Sequence, residues 1–276
     1  MRHEESFFQG IRGSRIYRQS WLPDGEPRAV LLMVHGLGEH CGRYSNVVNY
    51  LVPLGYALYG LDHVGHGKSE GAREYIERFE DFTDTLDTCR AMVKQAQPGK
   101  PLILYGHSLG GLISTCYLLD HQTEFAGAIL SAPLSRVPEN VSATTILMGR
   151  VLSRVAPKAG VLPLDATGVS RDPAVVQAYV NDPLVFHGKT PARLAAEMMR
   201  AMRRVETEAG KITLPVMILQ GSADRLVPGD ARFLYDAVSS ADKTLKIYEG
   251  LYHEAHNEPE CAIVLGDMEA WLAAHV

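Results

Sequence analysis

The chain has 276 residues, 46% of them hydrophobic and 21% charged, with a formal net charge of -5. An apolar fraction of that size supplies a core, and no glycine period or heptad runs through the sequence, which excludes a disordered, collagenous or coiled-coil chain. Mild acidity without a dense Lys/Arg cluster argues against nucleic acid as a partner, and the length suits one α/β domain carrying an insertion.

Residues 1–20 mix charges of both signs and hold no apolar stretch of signal-peptide length, and no window approaches the roughly 18 apolar residues of a bilayer span. Four widely spaced cysteines, Cys41, Cys89, Cys116 and Cys261, form no CxxC pair. We therefore expect a soluble cytoplasmic protein with free thiols.

Two short strands are expected at Ser6 to Gln9 and Ser14 to Gln19, followed by a turn at Pro23-Asp24-Gly25. Ala29 to Val34 is a continuous apolar run, the pattern of a strand covered on both faces. A helix over Tyr44 to Leu54, a strand over Tyr56 to Leu61, a long helix over Phe79 to Ala96 and a strand over Pro101 to Tyr105 follow. Gly106 to Gly111 turns into a helix ending near His121, and Phe125 to Ser131 is a further strand. Such alternation predicts a mostly parallel sheet flanked by helices.

From Ser135 to Gly210 the rhythm changes to helices over Asn140 to Val155, Pro173 to Val180 and Pro191 to Ala209, the last with Thr190 as N-cap, and no convincing strand. A strand over Leu214 to Leu219, a helix over Gly229 to Val238, a strand over Thr244 to Tyr248 and a helix over Glu260 to His275 restore the alternation. The division is a core of residues 1–134 and 211–276 with a helical cap, 135–210, inserted between strands. The cap carries 10 basic and 7 acidic side chains, a net +3 that favours transient contact with an anionic lipid surface, although compositional noise explains it about as well.

Gly106-His107-Ser108-Leu109-Gly110 is a G-x-S-x-G placed directly after a strand and before a helix. That placement exposes a serine on a strained turn, with small neighbours to let the backbone fold back and a helix N-terminus aimed at a developing oxyanion. Ser108 is the candidate nucleophile. It needs a base held by an acid, in the chain order Ser, acid, His. Asp224 and Asp230 compete as acid and His253 and His256 as base, with placement after the strands favouring Asp224 and His253. The loop His35-Gly36-Leu37-Gly38-Glu39 can aim the Leu37 amide at the same point as that of Leu109. His63-x-x-His66 and His253-x-x-His256 lack metal-site context, so neither metal nor cofactor is expected. Leu147, Met148, Leu152, Leu194, Met198 and Met202 are candidate apolar substrate-binding positions in the cap, although a Met stripe at helical spacing reads first as core packing and only second as an acyl channel.

These blocks, with Asp62-His63-Val64-Gly65-His66-Gly67-Lys68-Ser69-Glu70-Gly71, Gly221-Ser222-Ala223-Asp224-Arg225-Leu226 and Lys243 to Gly250, closely resemble the monoacylglycerol lipases of the α/β-hydrolase superfamily from about residue 10 to the C-terminus. Asp172-Pro173 through Asp182-Pro183-Leu184-Val185 resembles bacterial members. The resemblance implies Ser108, Asp224 and His253 as the catalytic triad and Leu37 and Leu109 as oxyanion amides. It also implies a mobile cap with an apolar rim that meets lipid, and a small lipid ester as substrate. Leu37 and Leu109 stand where mammalian members carry Ala and Met, differences that leave backbone donors intact. A short- to medium-chain carboxylesterase, an acyltransferase or peptidase on the same scaffold, and a catalytically silent binding protein are the other readings.

Overall fold

The computed structural model describes residues 1–137 and 141–276. Its sheet contains β1 (Arg2–Gln9), β2 (Arg15–Leu22), β3 (Ala29–Val34), β4 (Tyr56–Leu61), β5 (Leu102–His107), β6 (Gly127–Ser131), β9 (Val216–Gly221) and β10 (Lys243–Tyr248), in the spatial order β1-β2-β4-β3-β5-β6-β9-β10. All pairs from β4 through β10 are parallel, and only the β1–β2 and β2–β4 pairs are antiparallel. The expected α/β-hydrolase architecture is therefore present.

The period-two geometry of a strand divides its side chains between two cores. Val30, Leu32 and Val34 of β3 face the layer formed by α2 (Glu80–Ala96), α3 (Leu109–His121) and α7 (Asp230–Ala237). Ala29, Leu31 and Met33 face α1 (Ser45–Leu51) and α8 (Cys261–His275). Because both faces are covered, the central strands read as unbroken apolar runs rather than as alternating ones. Cys41, Cys89 and Cys116 are buried free thiols within this framework.

Between β6 and β9 lie α4 (Ala143–Val155), β7 (Gly160–Pro163), α5 (Pro173–Asn181), β8 (Lys189–Pro191) and α6 (Ala192–Glu208). Two expectations need correction, and one falls partly outside the described residues. The start of the first helix at Asn140 falls outside the described residues, and the observed helix begins at Ala143 with the Ser142 hydroxyl accepting from the Thr145 amide. The segment is not strand-free, since β7 and β8 pair antiparallel in a separate two-stranded ribbon. Thr190 does not cap α6. Pro191 holds that position, and carbonyls of Ala159 and Pro157 take up the amides of Ala192 and Arg193, leaving the Thr190 hydroxyl for a partner elsewhere.

On α6 the Met stripe takes the core-packing reading rather than the substrate-binding one. Leu194, Met198, Ala201, Met202 and Val205 recur on one helical face and are buried in the same core as Ile113 and Cys116 of α3. They build the attachment of α6 to the body of the protein.

Candidate active site

β5 ends at His107, and the chain reverses into α3 through Ser108, which holds φ 56° and ψ -120°. That is a costly conformation for a residue with a Cβ. It is held from both sides: the Ser108 amide donates to the Ser131 carbonyl at 3.0 Å, while the Ser108 carbonyl accepts from Leu112 and Leu134 at 3.2 and 3.1 Å. Room for the turn comes from Gly106 and Gly110. A Cβ on Gly110 would run into the Val34 and His35 carbonyl oxygens, and neither backbone can retreat. Gly110→Ala is accordingly expected to cost at least about 3 kcal/mol, read as a loss of soluble folded protein or a fall in Tm. An unchanged melting curve would refute this account of the turn.

The loop after β9 carries Asp224, and the loop after β10 carries His253. The carboxylate Oδ2 lies 2.8 Å from His253 Nδ1, and both groups are buried. Oδ1 accepts from the amides of Leu226 and Val227, and Oδ2 also accepts from Gln220 Nε2. Burial presses the Asp224 pKa upward, but the imidazole and these donors outweigh it and hold it below the usual range. Burial alone would discharge His253. The charge and hydrogen bond of Asp224 prevail and raise its pKa above the ordinary value.

The rival residues have other partners. Asp230 accepts from the Ser135 amide and the Arg136 side chain, tying the start of the inserted segment to α7. His256 stacks on Tyr44 at 5.0 Å, its pKa lowered to about 4 by burial. We expect Asp230→Asn to leave kcat within about threefold while lowering Tm by several degrees, because charge-assisted bonds of about 1.5–3 kcal/mol are lost. A large drop in kcat at unchanged Tm would return Asp230 to the list of catalytic acids. His63 and His66 pack against His35 and Phe82, with burial lowering their pKa values to about 3 and about 4.

Ser108 and His253 share the wall of one small cavity of about 20 Å³ with Gly36, Leu37, Glu39, His107 and Glu254. Leu164, Val169 and Tyr179 of the 135–210 segment complete it, with Leu226. Among the described residues, no acceptor takes up the amide of Leu37 or of Leu109. The inserted segment is bonded directly to the histidine loop, where the Glu254 amide donates to the Val169 carbonyl at 2.8 Å.

One end of the cavity is polar in a way the sequence reading missed. Arg43 lies between two buried carboxylates, 2.7 Å from Glu39 Oε2 and 2.6 Å from Glu254 Oε1. Glu39 also accepts from the Gly36 amide and the Tyr44 hydroxyl, which fixes the loop bearing Leu37. One guanidinium cannot offset two buried carboxylates equally. Burial raises the Glu39 pKa, while Glu254, gripped by both Arg43 nitrogens, is held low despite its burial. The position of Glu254 directly after His253 was the available signal, but its long-range partner was not.

None of the expected apolar substrate positions lines this cavity. Leu147 and Met148 are 61% and 67% exposed on α4, Leu152 is half-buried, and Leu194, Met198 and Met202 are packed on α3. The residues that roof the cavity come instead from the coil after β7 and from α5.

Comparison with known proteins adds the following. Residues 25–260 match the family described as serine aminopeptidase, S33. A monoacylglycerol lipase of Mycolicibacterium smegmatis is 39% identical over 99% of this chain and 98% of its own length. The human monoglyceride lipase is 37% identical over 95% of this chain and 88% of its own. The crystal structure of a Paleococcus ferrophilus monoacylglycerol lipase superposes with a TM-score of 0.83 at 32% identity, covering 95% of this chain and 99% of that one.

Proposed function

This chain belongs to the serine aminopeptidase S33 family, and we propose that it is a serine ester hydrolase releasing fatty acid and glycerol from monoacylglycerols through an acyl-enzyme. The observation that carries the reading is the 2.8 Å His253–Asp224 pair, buried at the cavity where the strained Ser108 also faces. Ser108 Oγ attacks the ester carbonyl as His253 Nε2 takes its proton, Asp224 holds the ring and stabilises the imidazolium, and the Leu37 and Leu109 amides receive the oxyanion. His253 then protonates the departing glycerol oxygen. A water, activated by the same base, splits the acyl-enzyme to fatty acid and regenerates Ser108. The protons balance through His253: the serine proton leaves on glycerol, and one proton of the attacking water restores the Ser108 hydroxyl.

The polar end built by Glu39, Arg43, Glu254 and Tyr179 suits a small polyol, and the apolar roof suits a single alkyl tail. A cavity of about 20 Å³ holds little more than one water, so the substrate enters only when residues 135–210 act as a movable cap. Leu147, Met148, Val151 and Val155 form an exposed apolar face on α4, which supports contact of that cap with a lipid surface. No helix among the described residues is long and apolar enough to cross a membrane.

The test is a series of monoacylglycerols of increasing acyl length, assayed as monomers beside a triacylglycerol. Each buried CH₂ stabilises by about 0.8 kcal/mol, so kcat/KM is expected to rise from butyryl through lauroyl, with triacylglycerol a poor substrate. A butyryl ester outperforming the lauroyl monoacylglycerol would replace this reading with the short-chain carboxylesterase.

A further inference from the structure

The coil before α2 buries a carboxyl group with no place in the mechanism above. Glu74 is 3% exposed and holds φ 52°, a left-handed conformation that non-glycine residues rarely keep without constraint. Its Oε2 accepts from the Thr190 hydroxyl of β8 at 2.7 Å, the partner for which Thr190 gives up its expected capping role. Its Oε1 lies 2.9 Å from where a Cβ would stand on Gly38, the residue after the Leu37 amide. The same point is 3.3 Å from the Phe186 carbonyl oxygen and 3.7 Å from the Tyr179 hydroxyl, which is buried and finds no hydrogen-bond partner among the described residues. The Phe186 amide in turn donates to the Gly38 carbonyl at 2.8 Å. Core loop and cap thus meet around one carboxyl group.

We propose that Glu74 is a positioning residue for the closed cap: as a neutral acid it takes the Thr190 hydroxyl of β8 and seats that strand beside the loop bearing the Leu37 amide, and loss of its proton leaves a buried charge in the seam that is relieved when the cap opens and water reaches it. The placement rests on reading residues 135–210 as the cap.

A carboxylate in this position is poorly compensated. The groups facing it are the Thr190 hydroxyl from β8, the Tyr179 hydroxyl from α5 and the side-chain-free Gly38. Among the described residues no Arg, Lys or His forms an ion pair with it. Adjacent charged groups are engaged elsewhere, Arg73 with the Gly67 carbonyl and Lys158 over the Tyr75 ring. Burial accordingly raises the Glu74 pKa to about 7, only partly opposed by Thr190. In the open cap the group is hydrated and returns to an ordinary carboxylate. The sign follows: a group whose proton is held more tightly in the closed form favours closure at low pH, and closure weakens as pH rises through about 7. Further ionisable contacts cross this seam, Arg43 over the Tyr179 ring at 4.5 Å and His40 Nε2 to Asp182 Oδ2 at 2.9 Å, and the second is the one to be separated from Glu74.

Hydrogen exchange of the Phe186 amide, corrected for the intrinsic rate, reports the seam without substrate. Between about pH 6 and about pH 8.5, protection in the wild-type protein is expected to fall roughly tenfold. Glu74→Gln keeps the shape and cannot ionise, so its protection should be level across that range. Asp182→Asn should retain the wild-type response. Level protection in the wild type overturns the proposal by itself, whether or not the variants fold. So does a wild-type response that survives in Glu74→Gln or vanishes in Asp182→Asn. Failure here leaves the ester-hydrolase reading standing, and failure of the acyl-length series leaves this one.

Discussion

Alanine in place of Ser108 is expected to lower kcat by at least about 10⁴ and to leave the melting temperature within a degree or two. The two halves of that result have separate causes. Oγ is the atom that bonds to the acyl group, so its removal ends covalent catalysis whatever the surrounding donors contribute. Its partly exposed position at the cavity means that no packed core group is lost with it. Backbone strain at φ 56° persists in the alanine variant but is relieved by glycine. Ser108→Gly should therefore be equally inactive and at least as stable as wild type, by up to about 1 kcal/mol. Turnover above a tenth of wild type in either variant would remove Ser108 from the mechanism. A glycine variant markedly less stable than the alanine one would contradict the strain.

How much of this was legible in the sequence depends on which interactions write themselves locally. β3 and β4 begin and end at the expected residues because burial on both faces demands an unbroken apolar run. The nucleophile turn was readable for a related reason, its glycines being required by backbone crowding within a few residues. The β7–β8 ribbon was not. β7 reads Gly-Val-Leu-Pro, only two apolar residues between a glycine and a proline, too short a run to announce a strand; all four residues are exposed, and its partner lies across α5. Periodicity on α6 revealed an apolar stripe but not what covers it, and core packing on α3 proved to be the answer. Contacts between residues far apart in sequence, such as Arg43 with Glu254 or Glu74 with Thr190, leave no local trace. The choice between Asp224 and Asp230 shows the same limit. Both follow β9 within ten residues, and only the fold reveals that one faces His253 and the other Ser135 and Arg136.

Asp224→Asn is expected to leave KM nearly unchanged and to cut kcat by roughly 10³ to 10⁴ at neutral pH. The amide preserves the volume and can still meet His253 Nδ1 at hydrogen-bonding distance. It offers a donor as readily as an acceptor, however, and stabilises the tautomer that leaves Nε2 protonated and unable to take the serine proton. A second consequence is separable by pH. In the wild-type protein Asp224 raises the His253 pKa against the effect of burial, so kcat/KM should climb with pH through a midpoint above about 6.5 as the imidazole loses its proton. Without that charge, burial is left to dominate, and the midpoint of the residual activity should move to lower pH. The bonds from Gln220, Leu226 and Val227 hold the wild-type carboxylate. Substituting the amide mispairs at least one of them, for a fall in Tm of a few degrees. Two measurements decide the matter: steady-state rates across the pH range for both proteins, and their melting curves. A variant with full activity, or one whose midpoint moves upward, would show that Asp224 neither orients nor charges His253.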